Sequence, residues 1–280
     1  MADQANTLLS VDRLSKKFCK DLKRSMLYGM VDIGKDMLGI KSDPTHLRQG
    51  EFWALDEVSF DLYEGQILSV IGTNGSGKTT LMRVISDIFP KDKGEIHQFN
   101  IERVTPIFAL HSGINAMLSG HENIQLKGAM LGMTKEELAR KKNFIAEFSE
   151  LGSFLNSPVG TYSSGMKARL AYAISIATEP NLFIIDEALA VGDSAFKAKC
   201  YNHLKQYVRE KPHRAVLYVT NRVKKILNIA DRTLVLHKGK LVEDTEDLPA
   251  ALEFYINHCL QELEPHARAE HLQLIREYEQ

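Results

Sequence analysis

The residues best equipped for chemistry lie in one run, Gly72-Thr73-Asn74-Gly75-Ser76-Gly77-Lys78-Thr79-Thr80, which satisfies G-x-x-x-x-G-K-[ST] from Gly72 to Thr79. Glycines permit a tight turn in which several backbone N–H groups converge on phosphate oxygens. Lys78 brings a cation to the β- and γ-phosphates, and the Thr79 hydroxyl can ligate Mg²⁺. A second run, Leu182-Phe183-Ile184-Ile185-Asp186-Glu187, ends an apolar stretch in two carboxylates. Asp186 at the edge of a buried strand can hold Mg²⁺, often through water. Glu187, one residue on, is placed to polarise an attacking water as general base. A third run, Tyr162-Ser163-Ser164-Gly165-Met166, stands upstream of Asp186 and opens a predicted helix. Ser163 and the N–H groups at that helix start suit an anion, and an N-cap with no ligand is the alternative reading.

These residues need elements to aim them. Ile67-Leu68-Ser69-Val70-Ile71 precedes the glycine loop and Leu81-Met82-Arg83-Val84-Ile85 follows it, so the order reads strand, loop, helix. A helix starting near Lys78 adds a positive dipole end. Leu182–Ile185 and Ala215–Val219 are continuous apolar runs, the mark of strands buried on both faces of a parallel sheet. Leu8–Val11, Trp53–Leu55 and Val58–Leu62 have strand character, and Leu234–Leu236 with Lys238-Gly239-Lys240 reads as a closing hairpin. Residues 113–160 read mostly helical, with a capping box at Thr134 and Glu137. Met26, Met30, Ile33 and Met37 fall at helical spacing on one face of a segment near residues 21–40. That stripe either docks on the protein's own sheet, the commoner fate, or lies on a surface. The remainder from Leu248 reads helical and polar. A nucleoside triphosphate is the ligand these elements predict.

The chain has 280 residues, 44% of them hydrophobic, enough to bury a full core as one large domain or one domain with an appendage. A formal net charge of −1 gives no global pull toward nucleic acid. Residues 13–48 hold nine Lys/Arg against four Asp/Glu, and residues 241–280 hold ten Asp/Glu against two Arg. Solvated helix faces explain both, though each could face a different partner. Cys19, Cys200 and Cys259 lie far apart, as in a reducing cytosol, and the histidines around Cys259 lack metal-ligand spacing. No stretch approaches the roughly 18–20 apolar residues that span a bilayer, and the opening residues lack a signal-peptide core. Any membrane role is therefore expected to come through a partner.

Tyr162–Met166 resembles the signature motif of ATP-binding cassette (ABC) ATPases, usually written L-S-G-G-Q. In that family the serine and the helix start bind the γ-phosphate held by a second subunit, which implies a head-to-tail dimer with two ATPs sandwiched. Arg169-Leu170-Ala171, Asp186-Glu187-Ala188-Leu189-Ala190-Val191-Gly192-Asp193 and Phe196-Lys197-Ala198-Lys199-Cys200 narrow the likeness. So do Gly120-His121-Glu122-Asn123-Ile124 and Glu51-Phe52-Trp53-Ala54-Leu55. Over residues 8–245 the chain is similar to the ATPase subunits that export lipid-linked surface polysaccharides: O-antigen, capsule and teichoic acid. The likeness is specific to the branch and not to the glycan. It implies that Phe18 stacks on adenine, a core phenylalanine being the alternative, and that Asp193 lies in the loop sensing the opposite site. It also places the helix near residues 21–48 where the branch carries an insertion held near the membrane.

Two positions depart from the family pattern. Within Pro106-Ile107-Phe108-Ala109-Leu110-His111, Ala109 stands where the Q-loop carries Gln or Glu, and His111 lies two residues on. After Ala215–Val219 the family has Ser/Thr-His, and here the pair is Thr220-Asn221. Asn donates a hydrogen bond but cannot become cationic, a loss worth about 10²–10³ in turnover by analogy with removal of one transition-state donor.

The expected fold is α/β: an ABC-type P-loop ATPase over residues 1–247, with an antiparallel β part, a helical subdomain at about 113–178, an insertion at about 21–48 and a short helical tail at 248–280. The expected function is ATP hydrolysis with Mg²⁺, in a dimer with a second ATPase subunit (homodimer). It drives a separate export permease from the cytoplasmic face of the inner or plasma membrane, with no nucleic-acid partner. Its catalytic residues are Glu187 and Asn221. The tail is expected to be too short for a glycan-binding domain. The alternative is a nucleotide-binding dimer module of weak hydrolysis, regulatory or paired with a more active ATPase. A ribosome- or DNA-associated ABC protein is the third class, and this chain lacks the tandem cassettes or long coiled-coil insertion usual there.

Overall fold

In the computed structural model, residues 6–39, 46–107, 112–186, 193–210, 212–260 and 265–278 are described. The continuous apolar runs become the centre of a six-stranded sheet. β3 (Ile67–Ile71), β6 (Leu182–Ile185) and β7 (Ala215–Val219) are buried at every position, because helices cover both faces. The strand order is β5-β6-β7-β3-β8-β9, where β5 spans Val104–Ile107, β8 Arg232–His237 and β9 Lys240–Thr245. All neighbours run parallel except β9, which turns back on β8 through Lys238-Gly239 as expected.

A second, antiparallel sheet of order β2-β1-β4 is built from β1 (Thr7–Cys19), β2 (Glu51–Tyr63) and β4 (Lys93–Gln98). Between the two sheets a core of Leu8, Leu9, Val58, Leu62, Leu68 and Leu217 encloses α2 (Lys78–Ile85) through Leu81, Met82 and Ile85. On the other face of the central sheet, α5 (Ser164–Ala177) and α6 (Ser194–Glu210) pack through Leu170, Tyr172, Ile174, Phe196 and Leu204. α3 (Gly120–Met130) and α4 (Lys135–Ser149) continue that cluster outward through Ile124, Leu138, Ile145 and Phe148. The Thr134–Glu137 capping box forms as predicted, and Ser119 with Glu122 makes a second that opens α3.

Two expectations change. The apolar stripe of α1 (Leu22–Met37) does not dock on the sheet: Met26, Met30, Ile33 and Met37 are 64%, 71%, 62% and 84% exposed. Leu8, Leu9, Val11 and Leu14 of β1 and Leu55, Val58, Phe60 and Leu62 of β2 are already spent against α2 and the central sheet. α1 is instead tethered by polar contacts, with Arg48 donating to both Asp32 carboxylate oxygens (3.0 and 2.5 Å) and the Tyr28 hydroxyl to the Gln49 carbonyl (3.2 Å). The tail, read from its sequence as polar, carries a buried face. α7 (Val223–Ile229), α8 (Leu248–Phe254) and α9 (Pro265–Tyr278) enclose a third core with Ile71, Val223, Ile226, Leu252, Ile256 and Ile275.

Candidate nucleotide site

Parallel strands deliver their loops to one edge, and ligands of such sheets sit outside the carboxyl ends. β7 lies between β3 and β6, with Val70 beside Val219 and Ile185 beside Tyr218. The glycine loop after β3, the pair Thr220-Asn221 after β7 and Asp186 after β6 therefore emerge side by side. They line one cavity of about 390 Å³, whose walls are Phe18, Phe52, Ala54, Asn74, Gly75, Gly77, Lys78, Thr79, Thr80, Asp186, Thr220 and Asn221.

At two of its glycines the loop is packed too tightly against the fold to admit a side chain. A Cβ on Gly72 would stand 2.2 Å from the Leu236 carbonyl and 2.4 Å from Ser76 Oγ. Gly77 holds φ at 108°, and its Cβ would meet the Ala54 carbonyl at 2.4 Å. Lys78 Nζ donates to the carbonyls of Gly72 (2.7 Å) and Thr73 (2.8 Å), which folds the ammonium back over the loop. α3, α4 and α5 each begin with a side-chain cap, whereas α2 begins at Gly77 with none. Its first-turn N–H groups are thus left for an anion. Thr79 and Asp186 offer a hydroxyl and a carboxylate, hard oxygen ligands of the kind Mg²⁺ selects. The chemistry of these groups fits a Mg²⁺–polyphosphate.

Part of the cavity wall is aromatic. Phe18 and Phe52 are cross-strand partners in β1 and β2, with ring centroids 6.5 Å apart, and Phe89 meets Phe18 edge-on at 5.7 Å. Lys16 and Lys20 stand over the Phe18 and Phe52 rings. Sequence reasoning named Phe18 alone. The signal for Phe52 was available only through pairing, since an aromatic residue stands at the matching end of each strand.

Ser163 and Gly165 are not brought to this cavity. Ser163 is exposed and caps α5, its Oγ accepting from Met166 N–H at 3.2 Å. Nearby, Arg169 binds Glu150 (3.0 Å) and Asp193, and Lys199 binds Glu150 (2.6 Å). Asp193 caps α6 by accepting from Phe196 N–H (2.9 Å), and that bond with the Arg169 cation holds its carboxyl below the usual range. Glu187, Ala109 and His111 lie outside the described residues. Among those described, no helix is long and apolar enough to cross a membrane.

Comparison with known proteins points the same way. A family model described as ABC transporter matches residues 55–190. The chain is 37% identical over 215 residues to a protein named teichoic acids export ATP-binding protein TagH from Shouchella clausii, covering 76% of this chain and 58% of that one. A protein of the same name from Listeria innocua is 36% identical over 211 residues (75% and 62%). ABC transporter protein AbcA from Aeromonas salmonicida is 38% identical over 191 residues (68% and 61%). The chain thus spans about three fifths of the length of these relatives. Among solved structures, a dimeric post-hydrolysis state of the ATP-binding cassette MJ0796 bound to ADP and Pi superposes with a TM-score of 0.65 at 20% identity, over 85% of this chain and 97% of that one.

Proposed function

We propose that this chain, whose residues 55–190 match a family model described as ABC transporter, is the ATP-binding and ATP-hydrolysing subunit of an exporter for a lipid-linked surface polysaccharide of the teichoic acid class. One observation carries this reading. An uncapped helix start, a side-chain-intolerant glycine cradle, Lys78, Asp186 and an aromatic wall all face one cavity at the carboxyl edge of a parallel sheet.

In this reading Phe18 and Phe52 receive the base, because stacking needs only a π-face. The phosphate loop's N–H groups and Lys78 take the β- and γ-phosphates, with Gly72, Thr73, Asn74, Gly75, Ser76, Gly77 and Thr80 shaping the cradle. Thr79 and Asp186 hold Mg²⁺, which when bound neutralises charge on the phosphate oxygens and fixes their geometry. Glu187 takes a proton from the attacking water, and Asn221 donates an amide N–H at the terminal phosphate. Ser163, Gly165 and the start of α5 face outward and so serve the site of a second copy, which supports a dimer. A neutral donor at 221 makes turnover slow, by about 10²–10³ relative to a cationic one. The weak-hydrolysis alternative draws its support from that same residue.

The apolar face of α1 supports peripheral attachment to the cytoplasmic face of a membrane through a permease. Steady-state ATPase of the purified chain against Glu187→Gln tests the enzyme reading. The parent chain is expected to exceed the variant at least tenfold, and equal background rates would leave only the binding-module reading. Purification with its permease tests transport, and the absence of any co-purifying permease would undercut it.

A further inference from the structure

The chain leaves the antiparallel sheet after Cys19, forms α1 and rejoins the sheet at Glu51, and the two phenylalanines of the cavity wall sit at the neck of this excursion. There Lys17, Phe18 and Cys19 pair with Trp53, Phe52 and Glu51, and Lys20 N–H donates to the Gly50 carbonyl at 3.0 Å. A register shift between Lys16 and Lys17 separates these rungs from the rest of the sheet. An irregularity of this kind bends and twists the strand beyond it, so the neck itself sets the aim of Phe18 and Phe52. Alternation puts both phenylalanines on one face and Lys17, Cys19, Glu51 and Trp53 on the other.

One carboxylate clasps that second face. Glu51 Oε2 accepts from Lys17 Nζ at 3.0 Å and from the Arg48 N–H at 2.8 Å, and its side chain is only 8% exposed. The bond to Lys17 runs diagonally across the two strands and closes the neck. Removing the carboxylate obliges the Lys17 ammonium to turn out to water, which loosens the rung that aims Phe18. Arg48 continues the series: its guanidinium donates to Asp32 of α1 and lies over the Tyr28 ring, 5.0 Å from the centroid. Direct bonds therefore run from α1 through Arg48 and Glu51 to the strand that carries Phe18. At helical spacing Tyr28 and Asp32 lie on the side of α1 opposite Met30 and Met37. The clasp thus grips the polar side of the helix and leaves its exposed apolar side turned outward.

We propose that Glu51 is a positioning residue for the nucleotide base: its carboxylate holds the neck so that Phe18 and Phe52 present their rings to the base, and through Arg48 and Asp32 it makes α1 a lever on that pair. By reciprocity, whatever fixes α1 tightens the base, and the bound base fixes α1. The proposal rests on the reading of the cavity as an ATP site. Its test is calorimetric titration of the full chain carrying Glu187→Gln with MgATP and, separately, with inorganic tripolyphosphate, which has no base to stack. Glu51→Ala is expected to weaken ATP about fivefold to tenfold and leave tripolyphosphate within about twofold, the size of a lost base–aromatic contact. Glu51→Gln keeps an oxygen acceptor for the Arg48 N–H and the Lys17 ammonium, and is expected to recover most of the loss. Asp32→Ala, which frees α1 from Arg48, is expected to weaken ATP alone by about twofold to threefold. In a chain already carrying Phe18→Ala and Phe52→Ala, Glu51→Ala is expected to cause no further loss, because it acts only through those rings. Leu14→Ala empties a core position on β1 and is expected to lower the melting temperature with the ATP/tripolyphosphate ratio unmoved. An unmoved ratio in Glu51→Ala, equal losses of both ligands, or a further loss in the ring-less background would each overturn the proposal. A parent ratio in Asp32→Ala would remove α1 from it. A chain that binds neither ligand removes the ATP-site reading and this inference with it, whereas binding with an unmoved ratio removes the inference alone.

Discussion

Gly72 and Gly77 set how little the site tolerates. At Gly72 an added methyl group meets a backbone carbonyl on β8 and the Ser76 side chain, neither of which can retreat without moving a strand end or the loop. Gly72→Ala is expected to destabilise the fold by about 3 kcal/mol and to lower the melting temperature by several degrees in a thermal scan. Lys78→Met contrasts with it. The Lys78 ammonium bonds two loop carbonyls and the residue is not one of the buried core residues, so the melting temperature should move less than for Gly72→Ala while ATP affinity falls roughly tenfold to a hundredfold by titration. Both residues were legible in the sequence because the motif is local: Gly72 to Thr79 form one run whose spacing encodes the turn, although the carbonyls that crowd Gly72 and Gly77 come from distant strands. Phe52 was not, because it reaches the cavity only as the cross-strand partner of Phe18, and register between distant strands is not written in either strand alone.

The elements carry two further consequences. His203 on α6 is ringed by Phe148 (5.3 Å), Tyr207 (5.8 Å) and Phe144 (6.4 Å), and burial, with the Arg214 cation second, pushes its imidazole down to about 4. The unfolded chain takes up this proton below about 6.5 and the folded one only near 4. The stabilising contribution is therefore full above pH 6.5 and is lost as pH falls toward 4, at most about 3 kcal/mol. His203→Phe is expected to flatten this part of the acid limb in melts between pH 6.5 and 4, and an unchanged limb would remove His203 from the account. α1 makes the opposite case, since its apolar residues bury little. Met30→Glu should change stability by less than about 0.5 kcal/mol and leave ATPase intact, yet abolish co-purification with the permease. The helix itself was legible from its spacing. Its partner was not, because a period of 3.6 marks an apolar face without saying what covers it. The tail shows the converse. Its charges dominate the sequence, while the face with Ile256 and Ile275 is spread over two helices that meet only in the fold.

At the scale of the whole molecule, Ser163 separates structure from assembly. Its hydroxyl caps α5, so a loss of function in Ser163→Ala would not distinguish a missing cap from a missing phosphate contact. Asp is as good an N-cap as Ser and bonds the same N–H groups, but it places a negative charge where a second copy's γ-phosphate would arrive. Ser163→Asp is therefore expected to keep the parent melting temperature and the parent affinity for a single nucleotide, since Ser163 is not among the walls of its own chain's cavity. It is expected to block the ATP-dependent dimer. In the Glu187→Gln background, light scattering should report a monomer-to-dimer shift on adding MgATP and none on adding MgADP, and Ser163→Asp should erase that shift. Dimerisation that survives the added charge would place the signature serine away from the sandwiched phosphate, and the exposed start of α5 would then be a cap and nothing more.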